Sequence, residues 1–323
     1  MSAAADARTR RRAWREVDGI VLLDKAAGMS SNQALQRARR LLSAAKGGHA
    51  GTLDPMATGM LPLCLGQATK ACGALLGSSK AYRARIVLGA ATDTGDADGI
   101  VITESAVPEL SQDVLEGVLA GFTGAIEQVP PMYSALKRDG RPLYELARRG
   151  EQVPRDARPV RIERLELLAA SPRELSIEVV CSKGTYIRVL GEDIARALGT
   201  CGHLGELRRL WVEPFEGERM VTLDEVDAWT GSRGASGENP PWLLPVDRAF
   251  SGLPRVDLDE LQSLHLRQGR VLAACEVGPG AGRARAYGPE GRFLGLVVVD
   301  HEGRITVERL FVPGAGGAES LRA

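Results

Sequence analysis

The chain has 323 residues, 44% of them hydrophobic, which suits one large and one small packed domain; no apolar run reaches the roughly 18 residues of a membrane span. Basic and acidic residues balance at 41 each, so a polyanionic partner requires a local basic face. Five scattered cysteines (Cys64, Cys72, Cys181, Cys201, Cys275) without a CxxC pair exclude a disulfide framework or zinc site, and a charged N-terminus without an apolar segment is unlike a secretory signal; both point to the cytoplasm.

Residues 1–18 read as a basic, disordered arm, with five arginines among small and polar residues. Residues 19–24 (GIVLLD) read as a short buried strand. A turn then leads into a helix: Ser30 is a good N-cap, and Gln33 completes a capping box. Ala34, Leu35, Ala38, Leu41 and Leu42 share one face of that helix, leaving Arg37, Arg39 and Arg40 outside.

Residues 46–59 hold four glycines in fourteen positions, which argues against a helix or strand interior, where each costs about 0.5–1 kcal/mol relative to alanine. The stretch carries one carboxylate, Asp54, biased toward extended backbone by Pro55, with Lys46 and His49 upstream. Such a loop fits an ordinary turn, or a nucleophile approached by a polyanion.

Residues 61–65 read as strand and 68–76 as a short helix. Residues 81–88 alternate, with Tyr82, Ala84, Ile86 and Leu88 on one face and Arg83, Arg85 and Val87 on the other. The acidic turn 92–99 (TDTGDADG) lacks the terminal Glu of an EF-hand and reads as solvated. A capped amphipathic helix follows at 111–122, then a proline-stiffened segment at 128–137, a turn and a basic helix. Residues 131–165 carry nine Lys/Arg against five Asp/Glu. Residues 158–169 and 174–182 read as paired strands, the second entering a strand-to-helix corner before a helix at 187–198. Residues 231–241 read as a linker or exposed loop. Beyond 255 a helix precedes short strands near 283–287, 293–299 and 306–311. Only six of the basic residues are lysines (Lys25, Lys46, Lys70, Lys80, Lys137, Lys183), and all lie in or beside these motifs.

GHAGTLDP at 48–55, ATGMLP at 57–62 and GQATK at 66–70 together resemble the signature of the TruB family, bacterial pseudouridine synthases that act on the T-loop of tRNA. LDKxxGxSS at 23–31, TDTxDxDG at 92–99, PPxYSAxKxxGxxxYxxAR at 130–148, CSKGTYIR at 181–188 and GHLxxLRR at 202–209 are similar to further motifs of that family. The resemblance is strong over 19–215 and loose in the tail. It implies an α+β fold: a pseudouridine synthase catalytic domain over 19–249, built on a mixed, largely antiparallel sheet flanked by helices. A small C-terminal PUA-like β domain for RNA binding (250–314) and a tail (315–323) follow.

By the same resemblance Asp54 is the catalytic carboxylate and Tyr82 stacks on the flipped uracil. His49 fills the vacated space, Tyr186 contacts the base and Leu207 closes the pocket. Arg188 pairs with Asp54 and keeps it ionised. Asp96 and Lys25 support the site, Arg208 and Arg209 approach phosphates, and His203 is structural. The implied reaction isomerises uridine at position 55 of tRNA to pseudouridine, after an extrusion of the base that costs a few kcal/mol. Nothing is added or removed, so no cofactor or metal is expected; the sequence has no phosphate-binding GxxxxGK[ST], no GxGxxG after a strand and no His/Cys ligand cluster. At Asp54, addition to C1′, addition to C6 and removal of the 2′-proton stay open. The expected partner is the tRNA T-arm, met by a monomer away from membranes. A noncatalytic RNA-folding module would not use an acid in the base pocket, and a glycosidase would need a second carboxylate.

Overall fold

A computed structural model describes residues 14–134, 136–138, 140–233, 239–273 and 280–311. Strand β1 (Gly19–Lys25) turns into helix α1 (Ser31–Leu42), where Ser30 and Gln33 form the reciprocal capping box and Ala34, Leu35, Ala38 and Leu42 are buried. A short edge strand β2 (Gly47–His49) leads through the Asp54 loop to β3 (Thr58–Leu65). A 3₁₀ turn, Gly66–Ala71, and helix α2 (Cys72–Leu76) replace the single short helix expected there. Next come β4 (Lys80–Leu88), a hairpin of β5 (Ala90–Thr92) and β6 (Val101–Glu104), helix α3 (Gln112–Gly121) and β7 (Gly124–Gln128). The small hairpin β8 (Lys137–Arg138) and β9 (Arg141–Pro142) precedes helix α4 (Leu143–Ala147), where the basic helix was expected. Strands β10 (Arg158–Ser171) and β11 (Glu174–Cys181) pair as expected and feed α5 (Ile187–Ala197) and β12 (Gly202–Val212). Helix α6 (Leu223–Arg233) then extends into the stretch read as a linker, whose residues 234–238 lie outside the described residues.

With β13 (Leu243–Leu244) the main sheet runs β13-β1-β3-β12-β4-β11-β10-β7, β2 lying on β3; every pairing is antiparallel except β12 with β3. Side chains alternate between two cores. Val21, Leu23, Leu61, Leu63, Tyr82, Ala84 and Ile86 face the helices α1, α3, α5 and α6. Ile20, Leu22, Met60 and Cys64 face the opposite side, with Ala68, Leu75, Phe215 and Phe250. On β4 that second face is solvated instead, where Arg83 pairs with Glu178 and Arg85 with Glu174 and Glu206.

The C-terminal strands β14 (Arg255–Asp257), β15 (Gly282–Tyr287), β16 (Phe293–Val299) and β17 (Ile305–Leu310) form a second sheet with α7 (Glu260–Arg267) against it. Its inner face has its own core of Val256, Leu266, Ala284 and Val297, while Leu296 and Phe311 pack with Phe215 and Phe250. The last residues of the expected arm are packed: Arg15 N–H donates to Ser43 O, Val17 is buried, and Asp18 accepts from the Gln67 amide. Residues 1–13 and the tail from 312 lie outside the described residues.

Three glycines of the 46–59 stretch sit in strands, contrary to the expectation from composition. Two form the short edge strand, and the third, Gly59, serves close approach: with φ +97°, a Cβ there would lie 2.1 Å from the Arg209 carbonyl oxygen. Gly59→Ala is expected to lower unfolding free energy by about 2–4 kcal/mol in urea titrations, through left-handed strain plus this clash. A loss below about 0.5 kcal/mol would mean that β12 yields freely.

Candidate active site

One transverse row of the sheet builds the floor of the site. Lys25 on β1 pairs with Gly59 on β3, Gly59 with Arg209 on β12, and Arg209 with Tyr82 on β4. Paired residues of adjacent strands face the same way, so these side chains gather at one end of the helix-covered face. The Asp54 loop crosses above them. Leu207, buried two places before Arg209, belongs to the same core as Tyr82 and Leu53.

Asp54 is held from one side by α5. Arg188 Nε lies 2.9 Å from Asp54 Oδ2 and Nη2 donates to Oδ1 at 3.4 Å; the arginine side chain is 5% exposed, that of Asp54 33%. Such a two-point guanidinium contact fixes orientation as well as charge. Two further bonds hold Arg188: Nη1 donates to Thr94 O (2.7 Å) and Nη2 to Tyr133 O (2.6 Å), while Asp96 Oδ2 lies 3.6 Å from Nε. Asp96 is buried, not solvated as its turn was read, and its Oδ1 accepts from Thr94 Oγ1 and the Asp98 amide.

The backbone of the Asp54 loop is gripped from below. Lys25 is fully buried, and its Nζ donates to Ala26 O, Met29 O and Pro55 O. Burial draws this ammonium down to about 8, against the opposing pull of Asp54. Ser31 Oγ donates to Leu53 O and accepts from Leu53 N. Sequence reasoning missed this second serine of the Ser-Ser pair; its signal is a polar side chain on the buried face of an amphipathic helix. It also missed Gln128, which accepts from Tyr186 N–H and donates to Tyr186 O, fixing the corner before α5.

Tyr82 is 8% exposed, and burial pushes its phenol up; burial does the same to Tyr186, and the Asp54 charge adds to both. His49 is half-buried on β2 with Nδ1 unpartnered, and burial followed by Arg209 holds its pKa down. His203 Nδ1 donates to Ala90 O, in keeping with the structural role expected. The two arginines expected to approach phosphates do otherwise. Arg209 is 1% exposed and bonds Met60 O through Nε and Gly51 O through Nη2, because residue 209 faces inward on β12. Arg208, on the other face, makes a two-point pair with Asp24.

Family models match in three consecutive blocks: the TruB family pseudouridylate synthase N-terminal domain over 39–187, the tRNA pseudouridylate synthase B C-terminal domain over 188–251, and the pseudouridine synthase II TruB C-terminal model over 254–311. The tRNA pseudouridine synthase B of Aromatoleum aromaticum is 53% identical over 92% of this chain and 93% of its own. This chain belongs to the TruB family. The tRNA pseudouridine synthase B of Xanthomonas euvesicatoria is 48% identical over 92% and 95% of the two chains. Among solved structures, a chain of a Cbf5–Nop10–Gar1 complex superposes with TM-score 0.71 at 25% identity, over 91% of this chain and 85% of that one. The TruB assignment accounts for the α+β catalytic fold and for an enzyme of pseudouridine synthesis.

Burial raises the Asp54 carboxyl above its ordinary 3.8, and the Arg188 charge and hydrogen bond oppose the rise. Carbon-detected titration should therefore place the Asp54 midpoint above 3.8 in the native chain. In Arg188→Met the opposing charge is gone, so the midpoint should climb further. A midpoint that stays or falls means Arg188 does not set this charge.

Proposed function

We propose that this TruB-family enzyme isomerises a uridine of the tRNA T-loop, at position 55, to pseudouridine, with Asp54 as the catalytic carboxylate. The observation that carries the assignment to Asp54 is its two-point contact with the buried Arg188, beside Tyr82 and Tyr186 and with its own carboxylate one-third exposed. A carboxylate so placed is paired, oriented and reachable, as an attacking or proton-accepting group must be. The uridine is extruded into the site, since C1′ and C5 are out of reach in a stacked base. Asp54 acts there as the C1′–N1 bond breaks; the uracil turns, C1′ joins C5, the proton on C5 is lost and N1 gains one.

Tyr82 offers a ring for the extruded base, Tyr186 and Leu207 line its pocket, and Asp96 and Lys25 hold Arg188 and the loop in place. His49, kept neutral by burial and by Arg209, fits a filler of the space left in the RNA stack better than a proton carrier. Exposed Arg158, Arg161 and Lys183 rim the Tyr186 corner and suit the phosphates of a T-arm. Arg158 pairs in register with Gln128, and Arg161 N–H donates to Ser182 Oγ, which brings that rim to the corner. Residues 19–249 are the catalytic domain in this reading and 250–314 the RNA-binding one, working as a monomer in the cytoplasm.

The test is Asp54→Asn. Tritium release from tRNA labelled with 5-³H-uridine should vanish, while tRNA binding stays within about threefold of wild type. An active Asp54→Asn chain would end the assignment of Asp54.

A further inference from the structure

Arg209 is the largest of the fully buried side chains, yet among the described residues no carboxylate lies within ion-pair distance of it. A buried guanidinium is tolerated only where fixed acceptors replace water. Two of them are backbone carbonyls that bracket Asp54: Gly51 O, 3.1 Å from Nη2, and Met60 O, 2.6 Å from Nε. The fit is close on both sides. A Cβ on Gly51 would stand 3.2 Å from Arg209 Nη1, and one on Gly59 would strike the Arg209 backbone. Tyr82 is the register partner of Arg209 on β4, and His49 and Lys80 both feel its charge.

We propose that Arg209 is a positioning residue for the reaction. Its guanidinium holds the two limbs of the Asp54 loop at a fixed separation, so that the carboxylate stands at one place beside Arg188. This rests on the reading that Asp54 performs the chemistry. An arginine suits the task because its planar fork spans two carbonyls with defined geometry, whereas a lysine ammonium is a point donor. It acts through Asp54 and touches no substrate: its donors are turned to backbone carbonyls and to the Tyr82 phenol, and its exposure is 1%. The loop thus has three independent holds, namely Arg209 at Gly51, Ser31 at Leu53 and Lys25 at Pro55.

The experiment uses the full chain with Arg209→Met, Arg209→Lys and Arg209→Ala, reading single-turnover tritium release and tRNA retention on filters. Misplacing the carboxylate by an ångström should slow release about 100-fold in Arg209→Met. Binding of tRNA should stay within about threefold of wild type. Low-millimolar guanidinium chloride should restore part of the rate in Arg209→Ala, which a general loss of structure would not allow. Arg209→Lys keeps the charge but loses one carbonyl, so a drop of about tenfold is expected, and this variant decides if the others fail to fold. Weakened tRNA binding with an unchanged chemical step would make Arg209 a phosphate contact and overturn the proposal. Release within about threefold of wild type in folded variants would overturn it too. In both cases the reading of Asp54 survives; if the wild-type chain releases no tritium, both fall.

Discussion

A carboxylate at the margin of a protein interior loses its charge unless a fixed cation stands beside it, and the Asp54–Arg188 contact meets that condition. Arg188 is itself held by three parts of the chain. It rises from the first turn of α5, donates to the 92–96 turn through Thr94 O, and donates to the proline-stiffened segment through Tyr133 O. Removing any one would leave a buried guanidinium short of an acceptor, which is costly. The ion pair is therefore where distant segments agree on a single arrangement.

Charge around the site is lopsided. Lys25, Lys80, Arg188 and Arg209 are all buried, against Asp54 and Asp96. Burial depresses both lysines to about 8, and backbone carbonyls hold their ammonium groups. A chain of zero net charge thus buries four cations at one end of one sheet. Low-dielectric walls strengthen their field for a polyanion arriving there. On the solvated face of the sheet, by contrast, arginines meet glutamates in pairs, as in Arg85–Glu174 and Arg164–Glu166.

Much of this was legible in the sequence, for physical reasons. The capping box, the helical face of Ala34, Leu35, Ala38 and Leu42, and the alternation around Tyr82 are local patterns, and local patterns survive folding. The motif resemblance brought together Asp54, Arg188, Tyr82, Tyr186, Leu207, His49, Lys25 and Asp96. What stayed hidden depends on pairing between strands. Arg209 looks like a surface arginine until β12 is laid parallel to β3, which turns it under the loop. Gly59 looks like a loop glycine until the same strand passes over it. Ser31 and Gln128 bond backbone atoms far along the chain, and no spacing rule announces such partners.

The meeting of the two sheets has a consequence for how the molecule is divided. Phe250 stacks near Phe293 and meets Phe311 edge-on, and both later rings sit in one cluster with Phe215. Lys70, beside the catalytic sheet, donates to Leu310 O, and Arg309 returns a bond to Lys70 O. Sequence motifs divide near residue 250, but water exclusion does not. A chain ending there would lay open a seam of phenyl rings, so the apolar contact that each half needs is completed only by the other.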